Sequence, residues 1–441
     1  MIIQLLVGWA QIACGNAASG LLRLFAFAIA AWSLNVAALG VLALIEAYVR
    51  VVDGLLNFQS VNVMTKYLTE AELKDDRQHF AALVKAGLLV DGVTAIATSL
   101  LAAALLPLVG TLVGIPDTWT GLAMLYCLVI ATRVLGTPES ILRCFDQFWA
   151  IGLRETISGA VMVGGSLYAW WMRAGPEVFL LIWMTAEAFA NLLFVAWTLV
   201  VLRQRGIVNL WRAKAVEAIR LSPGFWPMLW QTNLTFGIRV LSQQGDLLLT
   251  GAVLGPAASG LLRAAKSIAS LLSVFGRPLQ QVASARIVRL WADGKADVLL
   301  AYTRNISAAA GAAGLAVTAV FSVFGYLALD QLFGPEFVEA SDVLTILMLA
   351  QALYLAGVTL LPTMVAMELS TQFFKGIVLG TIVYAIVLAV GVAPLGIIGV
   401  GLAHAAFNVV WAAYCWNKVV RYARAGKSGR LMLAAEDGAQ C

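Results

Sequence analysis

Charge is scarce in this chain. Asp, Glu, Lys and Arg make up only 12% of its 441 residues, where a soluble domain carries about a quarter. Histidine is scarcer still. His79 and His404 have no plausible nucleophile beside them, and no HExxH, GxSxG or Walker pattern appears. Zinc hydrolase, serine hydrolase and nucleotide-driven pump chemistry are therefore not expected, and neither is any cofactor. No acid stands at helical spacing beside His404, so it reads as a core histidine. The cysteines, Cys14, Cys127, Cys144, Cys415 and Cys441, are odd in number and scattered. They form neither a disulfide framework nor a zinc set.

Apolar sequence takes the place of charge. Hydrophobic residues are 61% of the chain, and the mean hydropathy is +0.88. At about 20 residues per span, this reads as an all-α polytopic membrane protein of about twelve transmembrane helices. The runs fall near 3–31, 36–60, 82–108, 119–138, 147–172, 178–202, 224–254, 257–282, 303–329, 342–367, 371–393 and 396–419. The first run has no basic preceding region and no clear cleavage site, so it reads as a retained helix. The basic connection 205–222 is expected to separate two six-helix lobes, 1–204 and 223–425, with a tail at 426–441.

Lys and Arg collect in the connections after even-numbered runs and in the tail. Among them are Lys66, Arg143, Arg203, Arg212, Arg220, Arg289 and Arg421, whereas the connections after odd-numbered runs hold only Arg173. By the positive-inside rule both termini are expected in the cytoplasm. The net charge of +5 thus describes loops facing anionic lipid, and no nucleic-acid partner is expected.

Within the runs, polar residues form stripes. Glu46, Arg50, Asp53, Asn57 and Ser60 recur at i, i+4, i+7, i+11 and onward, the spacing of one helix face. A shift of 220 residues carries the first four onto Lys266, Ser270, Ser273 and Arg277, and Gln281 extends the second stripe. The same shift carries Ala37, Ala38 and Gly40 onto Ala257, Ala258 and Gly260. Duplicated charged stripes in a lipid-soluble chain point to a transporter with a polar cavity between two lobes related by a parallel repeat.

The charges themselves suggest roles. Glu46 can pair with Arg50, and Arg50 with Asp53. The eighth run carries Arg263, Lys266 and Arg277 with no interrupting acid. The seventh offers Arg239 and Asp246, of which Asp246 can face Arg263 or Lys266. The first run adds Arg23. Well inside the spans, seven cations (Arg23, Arg50, Arg133, Arg239, Arg263, Lys266, Arg277) stand against five acids (Glu46, Asp53, Asp91, Glu187, Asp246). Such a cavity favours an anion, and arginine's planar fork suits phosphate. Asp91 and Glu187 are lone acids that could hold a coupling H+ or Na+.

One stretch is familiar. Gly245-Asp246-Leu-Leu-Leu-Thr-Gly-Ala-Val-Leu-Gly255-Pro-Ala-Ala-Ser-Gly260-Leu-Leu-Arg263, continued by Arg277-Pro278-Leu-Gln280 and Arg286–Trp291, resembles bacterial polysaccharide-export flippases. Leu262 stands where that family usually has an aromatic residue. Ala38-Leu-Gly40 and Asp53-Gly54-Leu-Leu-Asn57 are its N-terminal counterparts. The resemblance implies the multidrug/oligosaccharidyl-lipid/polysaccharide exporter superfamily, with two six-helix bundles around a central cavity. It further implies a non-enzymatic flippase of the bacterial cytoplasmic membrane that moves polyprenyl-diphosphate-linked oligosaccharide for surface polysaccharide or lipopolysaccharide synthesis. The expected partners are that substrate, membrane lipids and H+ or Na+, with the protein working as a monomer. The expected substrate-binding residues are Arg23, Arg50, Asp53, Arg239, Asp246, Arg263, Lys266 and Arg277. A cation-coupled multidrug antiporter of the same superfamily is the alternative. A membrane sugar polymerase or ligase is a further one, disfavoured by the short outer loops.

Overall fold

The computed structural model describes residues 2–207, 210, 213–274 and 276–438, with side chains for all of these except 2–14, 16, 277, 278, 285 and 425–438. Regular structure among the described residues is helical throughout. Each of the twelve hydrophobic runs is mainly helical over its described residues. Among the described residues, seven segments are long and apolar enough to cross a membrane by length and composition. Several helices outside those seven carry the intramembrane charges, which lower their hydropathy. The protein is an all-α polytopic membrane protein.

The first compact unit covers Met1–Gly260. It contains α1 (Ile2–Ser33), α2 (Val36–Leu56), α3 (Val61–Leu73), α4 (Arg77–Val109), α5 (Thr120–Cys127), α6 (Gly136–Cys144), α7 (Phe148–Trp171), α8 (Pro176–Gln204), α9 (Ala215–Arg220) and α10 (Phe225–Leu254). The start of α11 (Pro256–Ser273) also belongs to it. Local sequence sets the helix starts. Asn35 accepts the Ala38 N–H at 2.8 Å and opens α2, and Asp76 accepts the His79 N–H at 2.9 Å and opens α4. Pro176 occupies the first turn of α8, where its missing N–H is not needed. Along α4, Leu89, Val93, Ile96 and Leu100 are exposed, while Asp91, Ala95, Thr98, Ser99 and Ala102 are buried. Over 89–102, large apolar side chains face outward and small or polar ones inward, the arrangement a lipid solvent favours.

The second unit covers Leu261–Cys441. It holds the rest of α11, then α12 (Gly276–Ala292), α13 (Ala296–Phe333), α14 (Ser341–Ala356), α15 (Leu360–Ala366), α16 (Ser370–Leu395) and α17 (Ile397–Gly438). Ala283, Ile287, Leu299, Met364, Trp411, Cys415 and Val419 share one of its buried clusters.

Four runs read as continuous helices are broken. The second stops at Leu56 and resumes as α3 at Val61, and the fourth is interrupted at 133–135. The eighth leaves the helix at Val274, and the tenth breaks between Ala356 and Leu360. Each stripe therefore stays on one helix only through its third residue, Asp53 in one and Ser273 in the other. Ser60, expected on the face of Glu46, instead opens α3. The breaks fall in corresponding runs of the two halves, the second with the eighth and the fourth with the tenth.

The repeat is also visible in packing. A Cβ added to Gly40 would strike the Pro256 carbonyl, and one added to Gly260 would strike the Val36 carbonyl. Val36 and Pro256 are themselves 220 residues apart. The two helix entries thus cross reciprocally, each glycine admitting the other's backbone. Gly40→Leu is expected to destabilise the protein by more than the roughly 1–3 kcal/mol typical of overpacking, because backbone must shift. Gly92→Leu, whose Cβ would meet open space, is the control. Thermal melts in detergent that coincide for the two variants would contradict the crossing.

Candidate functional site

The break in the fourth run places Arg133 where the backbone leaves the helix. One Nη donates to Asp53 on α2 at 2.7 Å, and the other to Glu187 on α8 at 2.6 Å. Asn57, capping α2, donates to Asp53 at 3.0 Å and to the Arg133 carbonyl at 3.4 Å. Thr94 on α4 donates in turn to Asn57 at 3.0 Å. A carbonyl freed by the break thus finds a donor, as membrane-buried backbone must. Arg133 is only 11% exposed, so this is a buried bridge joining three helical segments.

Further polar residues adjoin it. Arg50 donates to Glu46 through two nitrogens at 2.7 and 2.9 Å, which confirms the first pairing expected from sequence. Asp53, the other acid within reach of Arg50 in sequence, is bound by Arg133 instead. Arg23 on α1 reaches Glu155 on α7 at 3.2 Å. Arg154 also pairs with Glu155 and donates to Asn191 on α8 at 3.0 Å, and Asn191 donates to Thr132 at 3.1 Å. Arg23, Arg50, Arg133 and Arg154 are therefore matched by Glu46, Asp53, Glu155 and Glu187. Neither Arg154 nor Glu155 is legible in the sequence as an intramembrane charge, because both lie near the start of the fifth run. Glu187 reads there as a lone acid, because Arg133 lies 54 residues away.

The breaks are sealed differently in each unit. Asp91 on α4 is buried and accepts the Thr137 N–H at 2.6 Å, so a carboxylate caps α6 from a neighbouring helix. In the second unit Ser307 on α13 bonds Thr359, just before α15, at 2.7 Å, and Thr303 bonds Thr363 at 3.1 Å. Charge closes the first gap and hydroxyls close the second.

The remaining expected residues are placed as follows. Asp246 is fully buried on α10 and accepts its neighbour Leu247's N–H at 2.8 Å. Arg239 on the same helix is exposed. Arg263 and Lys266 are half-buried on α11. Ser267, Ser270 and Ser273 donate to carbonyls of their own helix, of Arg263, Ser267 and Ser270 respectively. Their hydroxyl protons are spent, so the guanidinium and the ammonium are this face's side-chain donors toward anything beyond the helix. The Arg277 side chain lies outside the described residues. Of the eight expected residues, the structure brings Arg23, Arg50 and Asp53 into the ion-paired region of the first unit. Arg239 and Asp246 belong to the same unit but take no part in the ion pairs just described, and Arg263 and Lys266 belong to the second unit.

No protein-family model matches the chain. The inner membrane protein YghQ of Escherichia coli K12 is 28% identical over 342 residues, covering 76% of this chain and 94% of that protein. An inward-facing multidrug resistance MATE transporter of the MOP superfamily superposes with a TM-score of 0.70 at 15% identity, covering 97% of this chain and 99% of that one. Lipid II flippase MurJ, in an inward closed conformation, gives 0.69 at 13% identity, with 96% and 90% covered. A MOP-superfamily transporter from Pyrococcus furiosus gives 0.60 at 14%, with 95% and 96% covered. The chain has the fold of the MOP-superfamily transporters.

Proposed function

We propose that this protein is a flippase that carries polyprenyl-diphosphate-linked oligosaccharide across the bacterial inner membrane by alternating access of two lobes, with both termini in the cytoplasm. The observation that carries the reading is the set of broken spans at corresponding positions in the two halves, one of them holding Arg133. Interrupted helices at matching places mark substrate sites in repeat-built transporters. The sign of the substrate is read from the charge count well inside the spans, where the seven cations named above stand against five acids. Arg239 is exposed, and α11 presents Arg263 and Lys266 with no acid in its sequence. Arg23, Arg50, Asp53, Arg239, Asp246, Arg263, Lys266 and Arg277 are the proposed substrate-binding residues. A diphosphate and its sugars cannot cross hydrocarbon unaided, whereas guanidinium groups can hold the phosphates bidentately. No bond is made or broken, so the activity is transport.

A second reading is supported by the matching of four arginines with four carboxylates in the first unit. A balanced network leaves room for a cationic drug exchanged against H+ or Na+. Proteoliposomes separate the two readings. The flippase moves a fluorescent lipid-linked oligosaccharide between leaflets and leaves an ethidium gradient undisturbed. Ethidium movement driven by a proton or sodium gradient, without lipid flipping, would establish the antiporter instead.

A further inference from the structure

On the first unit, α7 and α8 enclose a groove of about 300 Å³. Ala190 and Phe194 form a buried floor, and exposed Trp149, Leu153, Leu193 and Trp197 form the walls. Trp149 and Trp197 meet edge to face, with ring centroids 5.2 Å apart. The groove has one charged lining residue, Arg154, whose guanidinium lies 5.6 Å from the Phe194 ring centroid.

Arg154 joins this apolar groove to the ion-paired network. Its two Nη atoms serve Asn191 and Glu155. A guanidinium carries five N–H bonds, so donors remain for an anion beside those two partners. Glu155 keeps Arg23 as a second partner, so engaging Arg154 elsewhere does not strand a carboxylate. An apolar trough ending at an arginine is complementary to a single chain that ends in a phosphate.

We infer that this groove seats the phosphate-proximal isoprene units of a polyprenyl phosphate lipid, with its phosphate at Arg154. The inference rests on the flippase reading and adds the route by which the lipid chain stays in hydrocarbon while the head enters the protein. Bulk phospholipid, with two chains and a branched glycerol head, fits the single trough less well.

Undecaprenyl phosphate, titrated onto the purified full-length protein and followed by native mass spectrometry, tests it. Ala196→Trp fills the groove from an exposed rim position, and Arg154→Gln removes the charge. Each is expected to weaken binding by about tenfold or more, as is replacing the probe with undecaprenol. Equimolar phosphatidylglycerol leaves the bound probe in place. Binding within about twofold of wild type in both variants, or equal displacement by phosphatidylglycerol, overturns the inference and leaves only annular lipid. In that case, wild-type flipping of lipid-linked oligosaccharide in proteoliposomes keeps the flippase reading intact. Wild-type protein that neither flips that substrate nor binds the probe fails both. Arg154→Gln retains the apolar packing, so it decides the matter even where Ala196→Trp does not fold.

Discussion

Export of lipid-linked sugar is expected to cease when Arg263 and Lys266 are both neutralised, as Arg263→Met with Lys266→Met, while the protein remains in the membrane at wild-type level. The two residues stand three apart and so share a face of α11. The serines beside them have turned their protons inward to their own backbone, so no neutral donor on that face replaces the lost charge. A phosphate that loses two charge-assisted hydrogen bonds, each worth about 1.5–3 kcal/mol, binds about two to four orders of magnitude more weakly. Arg263→Lys separates charge from geometry: it restores part of the export where charge suffices and little where a bidentate fork is needed. Full export by the double variant, measured as surface polysaccharide in a strain lacking the native gene, would defeat the cationic-site mechanism. Weight would then move to the antiporter.

The largest effect on stability is expected at Arg133. Arg133→Leu leaves Asp53 and Glu187, both nearly buried, without the cation between them. Breaking one buried pair costs about 3–5 kcal/mol, and here one side chain serves two acids. Asn57 continues to donate to Asp53 but carries no charge. A second variant tests whether the loss comes from stranded charge. Arg133→Leu combined with Asp53→Asn and Glu187→Gln removes all three charges, and the amide oxygen introduced on α2 can still accept from Asn57. It is expected to recover most of the lost melting temperature in detergent, since a neutral, packed replacement of a buried ion cluster is often tolerated. If Arg133→Leu alone melts within about 2 °C of wild type, the bridge contributes nothing to stability.

The sequence announces the helical runs because hydropathy sums over about twenty residues and tolerates local error. The breaks in the fourth and tenth runs are invisible to that sum. Val134, Leu135, Gly357 and Val358 are as apolar as the helices they interrupt, and no proline stands at either gap. Pairing inside one helix is legible, as Glu46 with Arg50 shows, because four residues make about one turn. Pairing across helices is not. Arg133 can be counted as an intramembrane charge, but its two acids lie 80 and 54 residues away. The connection after the second run looks polar in sequence. Its helix α3 emerges because Val63, Met64, Tyr67, Leu68 and Ala71 line one buried face. The 220-residue offset is the most informative signal. It foretells which residues correspond, though not that Gly40 and Gly260 touch.

That contact limits how far the two matching segments can diverge from each other. Elsewhere a change in one segment can be absorbed by a smaller residue in its counterpart. At Gly40 and Gly260 both sides already have the smallest side chain available, and the obstacle to enlarging either is a main-chain carbonyl. No second mutation can shorten a carbonyl. Mutational drift is therefore closed at both positions together, and the two segments stay alike there however far their charges part.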